Sequence, residues 1–212
     1  MRQPLDLSVY LVLDPKLCAE TGMVETAQAA VAGGATAVQL RHKTATTAER
    51  IALGQALKAA LAGTGAVLVV NDDVDAARVI GADGVHVGQE DMPPSDVRAI
   101  IGPDMALGLS VESVAAARAV DPDVVDHVGA GPVFATPTTR DHKTPIGFDG
   151  LAKVIAAAPV PAVAIGGVKA EHAHEVHAAG AFGMAVVSAI CGRPDPEAAA
   201  RAVASAWAEA AQ

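Results

Sequence analysis

The sequence predicts a single (β/α)8 barrel, and three observations carry that prediction. Eight short apolar runs alternate with segments of helical spacing along the 212 residues. Several runs are continuous Val, Leu, Ile and Ala, the composition of a strand covered on both faces. Polar residues gather where the runs end, around the whole series, as they do in a closed parallel barrel whose functional face lies at the C-terminal strand ends.

The elements follow in order. The predicted strands are Val9–Leu13, Ala37–Arg41, Val67–Asn71, Gly84–Val87, Met105–Ser110, His127–Ala130, Ala162–Ile165 and Gly183–Ser188. Between them, Leu151, Val154, Ile155 and Ala158 form an i, i+3, i+4, i+7 stripe, and Val97, Ile100 and Ile101 repeat it. Val24, Ala27 and Val31 do so more weakly. The nearest alternative is an open doubly wound sheet. Against it, Asp14 and Pro15 follow the first strand where a dinucleotide-binding G-x-G-x-x-G would stand. No linker or composition break interrupts residues 1–212, so one domain of the TIM-barrel kind is expected. The longest irregular stretch, 131–147, has the length of a functional loop, and Gly131 and Gly147 are candidate hinges for a lid.

Composition narrows the function. A net charge of −9 argues against nucleic acid as a partner, so small molecules are the expected ligands. No uncharged apolar run reaches the ~18 residues of a membrane span. The first eight residues carry Arg2 and Asp6 and lack an apolar signal region, which predicts a cytoplasmic protein. Cys18 and Cys191 match no metal-ligand spacing and read as reduced, buried thiols. Assembly into a homo-oligomer is left open.

The strand ends carry the chemistry. Strand two ends Gln39-Leu40-Arg41-His42-Lys43, and period-two alternation puts Gln39, Arg41 and Lys43 on one side as an anion clamp. Strand three ends Asn71-Asp72-Asp73, with Asp73 read as a helix cap. Strand four leads to Gly88-Gln89-Glu90-Asp91. Two carboxylates on adjacent strand ends, opposite an anion clamp, suggest Mg2+ held between protein and phosphate. His86, inside strand four, reads as a satisfied core histidine. Strand five brings Ser110 to the same rim, where it also suits the N-cap of a helix starting at Val111. The loop after strand six supplies Thr136 and Thr138, followed by Thr139, Arg140 and Lys143. Gly166-Gly167 after strand seven and Val187-Ser188 after strand eight match the phosphate site common in such barrels. Two anion sites imply a pair of substrates, or one substrate with two phosphate groups. A metal near one of them suggests that a diphosphate is handled there, as a leaving group.

Seven strings together resemble the thiamine phosphate synthase family. They are Gln-Leu-Arg-His-Lys at 39–43, Val-Asn-Asp at 70–72 and Asp-Gly-Val-His-Val-Gly-Gln-Glu-Asp at 83–91, then Gly-Leu-Ser at 108–110. Gly-Ala-Gly-Pro-Val-Phe-Ala-Thr-Pro-Thr at 129–138, Ala-Ile-Gly-Gly-Val at 164–168 and Val-Val-Ser-Ala-Ile at 186–190 complete the set. The resemblance implies condensation of a hydroxymethylpyrimidine diphosphate with a thiazole phosphate, releasing pyrophosphate by a dissociative route. It implies that Gln39, Arg41, Lys43 and Asn71 hold the diphosphate, with Ser110 on the same side. It assigns Mg2+ to Asp72 and Asp91, and the thiazole phosphate to Thr136, Thr138, Gly167, Val187 and Ser188. One departure stands out. The family usually has Lys where this chain has Thr139, so Arg140 or Lys143 is expected to supply that charge, with Arg140 the nearer.

Two other functions compete. A thiazole tautomerase of the same fold carries a histidine in the loop after strand six, where this chain has Pro132, although His142 lies further along. A phosphate-binding protein that has lost its chemistry through Thr139 is the other.

Overall fold

The computed structural model describes residues 5–135 and 144–212. Eight parallel strands close into a barrel in sequence order: β1 (Val9–Val12), β2 (Ala37–Leu40), β3 (Val67–Asn71), β4 (Gly84–Val87), β5 (Ala106–Val111), β6 (His127–Ala130), β7 (Ala162–Ile165) and β8 (Gly183–Val186). Tyr10 of β1 pairs with Ala37 of β2 on one side and Ala185 of β8 on the other, which closes the ring. The helices α1 (Met23–Ala32), α2 (Thr47–Leu61), α3 (Val74–Ile80), α4 (Pro94–Ile101), α5 (Val114–Arg118), α6 (Gly147–Ala157), α7 (Ala173–Ala178) and α8 (Pro196–Ala210) follow their strands, with α1 packed on α8. The closed topology decides against the open sheet.

Burial on both strand faces explains the run-like sequences. One apolar cluster, with the fully buried Leu11, Leu40, Leu68 and Leu107, fills the space between strands and helices. A smaller one, built from Leu7, Tyr10, Val12, Ala37, Val69, Val163 and Ala185, fills the lumen. Alternate residues of one strand serve the two clusters, so polar groups entering the lumen must replace members of the smaller one.

Strand and helix ends show where local chemistry overrides pattern. β1, β2 and β8 stop one or two residues before the predicted ends, so Arg41 and Ser188 leave the ladder and belong to loops. Strand five is shifted by one residue, starting at Ala106 rather than Met105 and ending at Val111 rather than Ser110. Val111 pairs with Ala130, and it is Ser113, not Ser110, whose side chain caps α5 by accepting from the Ala116 N–H. Asp73 caps α3 as expected, accepting from the Ala76 N–H at 2.9 Å. Thr46 and Glu49 form a reciprocal capping box on α2. Of the predicted helical stripes, Leu151, Val154, Val97 and Ala27 are buried, whereas Ile100 is exposed. Cys18 and Cys191 are buried and unbridged.

Candidate active site

Every strand sends a side chain to one cavity of about 600 Å3 at the C-terminal strand ends. It is lined by Gln39, Arg41, Lys43, Asn71, Asp72, Asp91, Ser110, Gly167, Val187 and Ser188. These are all the sequence-predicted site residues within the described segments. Thr136, Thr138, Thr139, Arg140, His142 and Lys143 lie outside them.

The floor is polar where a barrel of this size would ordinarily be filled by apolar side chains. Gln39, His86 and His127 are three of the four buried polar residues among those described, and all three face the cavity. Gln39 Nε2 donates to Tyr10 Oη at 2.9 Å, and burial pushes the Tyr10 phenol well above its usual pKa. Burial, reinforced by the neighbouring His127, lowers His86 to a pKa of about 3. Burial alone lowers His127 to about 4. Both imidazoles are therefore neutral at neutral pH. His86 is satisfied at one nitrogen only: Nε2 lies 2.9 Å from Ser110 Oγ, while Nδ1 has no hydrogen-bond partner.

One wall is charged. Asp72, at the end of β3, adopts a left-handed backbone (φ 63°), and its N–H donates to the His86 carbonyl at 2.9 Å. Asp and Asn tolerate that conformation better than other side chains, so the chain can turn there and aim a carboxylate at the mouth. Asp91 is fixed by the Gly88 N–H, which donates to its Oδ2 at 2.7 Å. Burial first, and then the adjacent negative charge of Asp91, raise the Asp72 pKa to about 6, while Lys43 and Arg41 pull the other way. Two carboxylates held close enough to repel each other are suited to sharing a divalent cation. Among the described residues no group of three or more metal-ligating side chains occurs, so any such ion would need oxygens from a ligand or water as well.

Behind this wall, Arg50 ties two loops together. Its Nη1 pairs with Asp73 Oδ2 at 2.6 Å and its Nε donates to the His42 carbonyl at 3.1 Å. The segment from His42 to Lys43 is thereby braced against the start of α3.

The opposite wall is built from backbone. Gly166 and Gly167 both have positive φ (97° and 69°). The base of the loop after β6 is stitched to them: Val133 N–H donates to Ile165 O, Phe134 N–H to Gly166 O, and Gly147 N–H to Val133 O. Gly131 permits this stitching, since a Cβ there would sit 2.1 Å from the Ile165 carbonyl oxygen. Across β8, the Ile190 and Cys191 N–H groups both donate to Val187 O, forming the turn that carries Ser188.

Sequence reasoning missed Tyr10, His127 and Gln89, whose Nε2 donates to the Ser110 carbonyl at 2.7 Å. The signal for Tyr10 and His127 is positional. Each shares a lumen-facing register with residues already singled out, Gln39 lying across from Val12 and Gly108 across from His127.

The family model described as thiamine monophosphate synthase matches residues 9–190. The chain is 48% identical to the thiamine-phosphate synthase of Azorhizobium caulinodans over 201 residues, covering 95% of each. It is 54% identical to that of Solidesulfovibrio magneticus, again over 95% of each. Among solved structures, a thiamine phosphate pyrophosphorylase from Pyrococcus furiosus superposes with a TM-score of 0.89 at 35% identity, covering 98% of both chains. A 3-hexulose-6-phosphate synthase (TM-score 0.66, 22% identity) shares the fold alone. The protein is a transferase, and the chain belongs to the thiamine monophosphate synthase family.

Proposed function

We propose that the protein joins a hydroxymethylpyrimidine diphosphate to a thiazole phosphate, giving thiamine phosphate and pyrophosphate, in the cytoplasm. The observation that carries this reading is the convergence of Gln39, Arg41, Lys43, Asn71 and Ser110 with two carboxylates on one cavity whose far wall holds Gly167 and Ser188. A diphosphate fits the first group and a monophosphate the second.

The roles follow from charge and position. The bond between the pyrimidine methylene and its diphosphate oxygen breaks, and its electron pair leaves on that oxygen. Arg41 and Lys43 neutralise the departing pyrophosphate, and Gln39 and Asn71 fix its direction. The amino-substituted ring stabilises the methylene cation, and the thiazole nitrogen lone pair then closes on it. Val187, Ser188 and Gly167, with Thr136 and Thr138, hold the thiazole phosphate so that the nitrogen approaches in line. No strong general base is needed, consistent with two neutral histidines on the floor. Asp72 and Asp91 would hold Mg2+, which supplies positive charge to the diphosphate oxygens. Arg140, or failing it Lys143, supplies the cation expected at position 139.

The test is pyrophosphate release from purified protein. Release should require both substrates and Mg2+. Release without the thiazole phosphate, or none under any condition, would overturn the reading. If neither Arg140→Ala nor Lys143→Ala lowers turnover more than a few-fold, the compensating-cation part fails alone.

A further inference from the structure

Ser110 meets the cavity with its hydroxyl, and a histidine holds that hydroxyl from behind. His86 Nε2 lies 2.9 Å from Ser110 Oγ, while the Ser110 carbonyl is pinned by Gln89. The His86 ring is also confined on its remaining sides. His127 lies against it with ring centroids 5.8 Å apart. A Cβ on Gly108 would fall 2.4 Å from His86 Nδ1 and 2.5 Å from His127 Nε2, and one on Gly129 would fall 3.2 Å from His86 Cε1. Only glycine at 108 leaves both rings where they are.

The buried environment decides which way the hydrogen bond runs. A neutral imidazole carries one N–H. Placed on Nδ1, it would be a buried donor without a partner, because Nδ1 has none. Placed on Nε2, it is donated to Ser110 Oγ, and the group left unpaired is an acceptor lone pair. Orphaned buried donors are rarer in folded proteins than under-satisfied acceptors, so the second arrangement is favoured. With Oγ accepting from His86, the Ser110 hydroxyl hydrogen must point elsewhere, and the open direction is the cavity.

We propose that His86 is a positioning residue: by donating from Nε2 to Ser110 Oγ it turns the Ser110 hydroxyl into a dedicated donor toward the anionic leaving group. The proposal rests on the functional reading above, since it takes the diphosphate to be the ligand on that wall. His127 and Gly108 contribute by fixing the plane and tilt of the His86 ring. Without His86, Ser110 is a free rotor that can accept as readily as donate, and the donor is lost for part of the time.

The experiment is a double-mutant cycle on steady-state pyrophosphate release, using His86→Leu, Ser110→Ala and both together, with His86→Gln as the rescue. His86→Leu should lower kcat by roughly 10-fold while the KM for the diphosphate changes less than about threefold. The double variant should be no slower than Ser110→Ala, and His86→Gln, which keeps an amide donor at similar reach, should recover most of the loss. Losses that multiply in the double variant would overturn the proposal, as would a His86→Gln variant as slow as His86→Leu. Long-range 1H–15N NMR of the wild-type protein gives a second readout that no folding defect can obscure. An Nε2-protonated His86 supports the proposal and an Nδ1-protonated one refutes it. A wild-type protein that releases no pyrophosphate overturns the functional reading instead, and the tautomer then decides the direction of the hydrogen bond by itself.

Discussion

Replacing Asp72 by Asn should stabilise the ligand-free protein, and only above acidic pH. The carboxyl is displaced from 3.8 to about 6 by burial and by Asp91. A group whose folded pKa is raised contributes stability that is full below its unfolded value and is lost as pH rises through the folded one. For Asp72 that window runs from 3.8 to about 6. The displacement corresponds to ~3 kcal/mol if taken whole. Asp72 is only half-buried, so solvent screening reduces this to about 1 kcal/mol. Asn removes the charge, keeps the shape and tolerates the left-handed backbone at this position. Thermal unfolding followed by circular dichroism, in EDTA and without phosphate, should give a melting temperature about 2–4 °C above wild type at pH 8. At pH 4.5 the difference should be less than half as large. Adding Mg2+ with pyrophosphate should raise the wild-type value and leave the variant nearly unmoved. No increase at pH 8, or equal increases at both pH values, would refute the reasoning that burial and the neighbouring Asp91 charge hold the Asp72 carboxyl above its usual pKa.

Three further perturbations test other parts of the structure. Arg41→Ala should lower kcat by roughly 10²–10³-fold in the pyrophosphate-release assay, as expected for loss of one preorganised group on the developing charge. Asp73→Ala removes both the α3 cap and the partner of Arg50, and should cost ~2 kcal/mol at pH 7 by urea unfolding. Hydrogen bonds from the Ala76 N–H and Arg50 outweigh burial and hold the Asp73 pKa below its usual value, so its contribution is present above 3.8 and fades as pH falls further. Arg98 donates to the carbonyls of Gly102, Met105 and Val124 and pairs with Asp126 at 2.7 Å. Arg98→Ala should therefore lower the melting temperature by about 6–12 °C, for ~3 kcal/mol lost, without changing the KM of either substrate.

The barrel was legible because its strands are buried twice, once by helices and once by the lumen, and so read as unbroken apolar runs. The rim was legible for the opposite reason. Arg41, Asp72 and Asp91 stand as charges where the apolar runs end, and a charge at a strand exit shows against that background. What stayed hidden depends on register. The sequence places Ser110 at the rim, where the structure also has it, but its added suitability as an N-cap fails, because β5 continues to pair with β6 through Val111 and the cap falls to Ser113. His127 sits within a predicted strand, and its inward direction follows only from the pairing of Gly108 with it. The ties that brace the rim, Arg50 to His42 and Gln89 to Ser110, join residues 8 and 21 apart and leave no periodic trace.

The pairing of β1 with β8 has a consequence for how the chain acquires its shape. Tyr10 and Ala185 are neighbours across one ladder although most of the polypeptide lies between them. During synthesis the first strand must wait, with one edge unpaired, until residues 183–186 have left the ribosome. At translation rates of about 5–20 residues per second that interval is on the order of 10–30 seconds. An exposed strand edge is a template for pairing with other chains. The half-made protein should thus be far more prone to aggregate than the finished one, and its yield in cells should respond to chaperone supply more steeply than its equilibrium stability suggests.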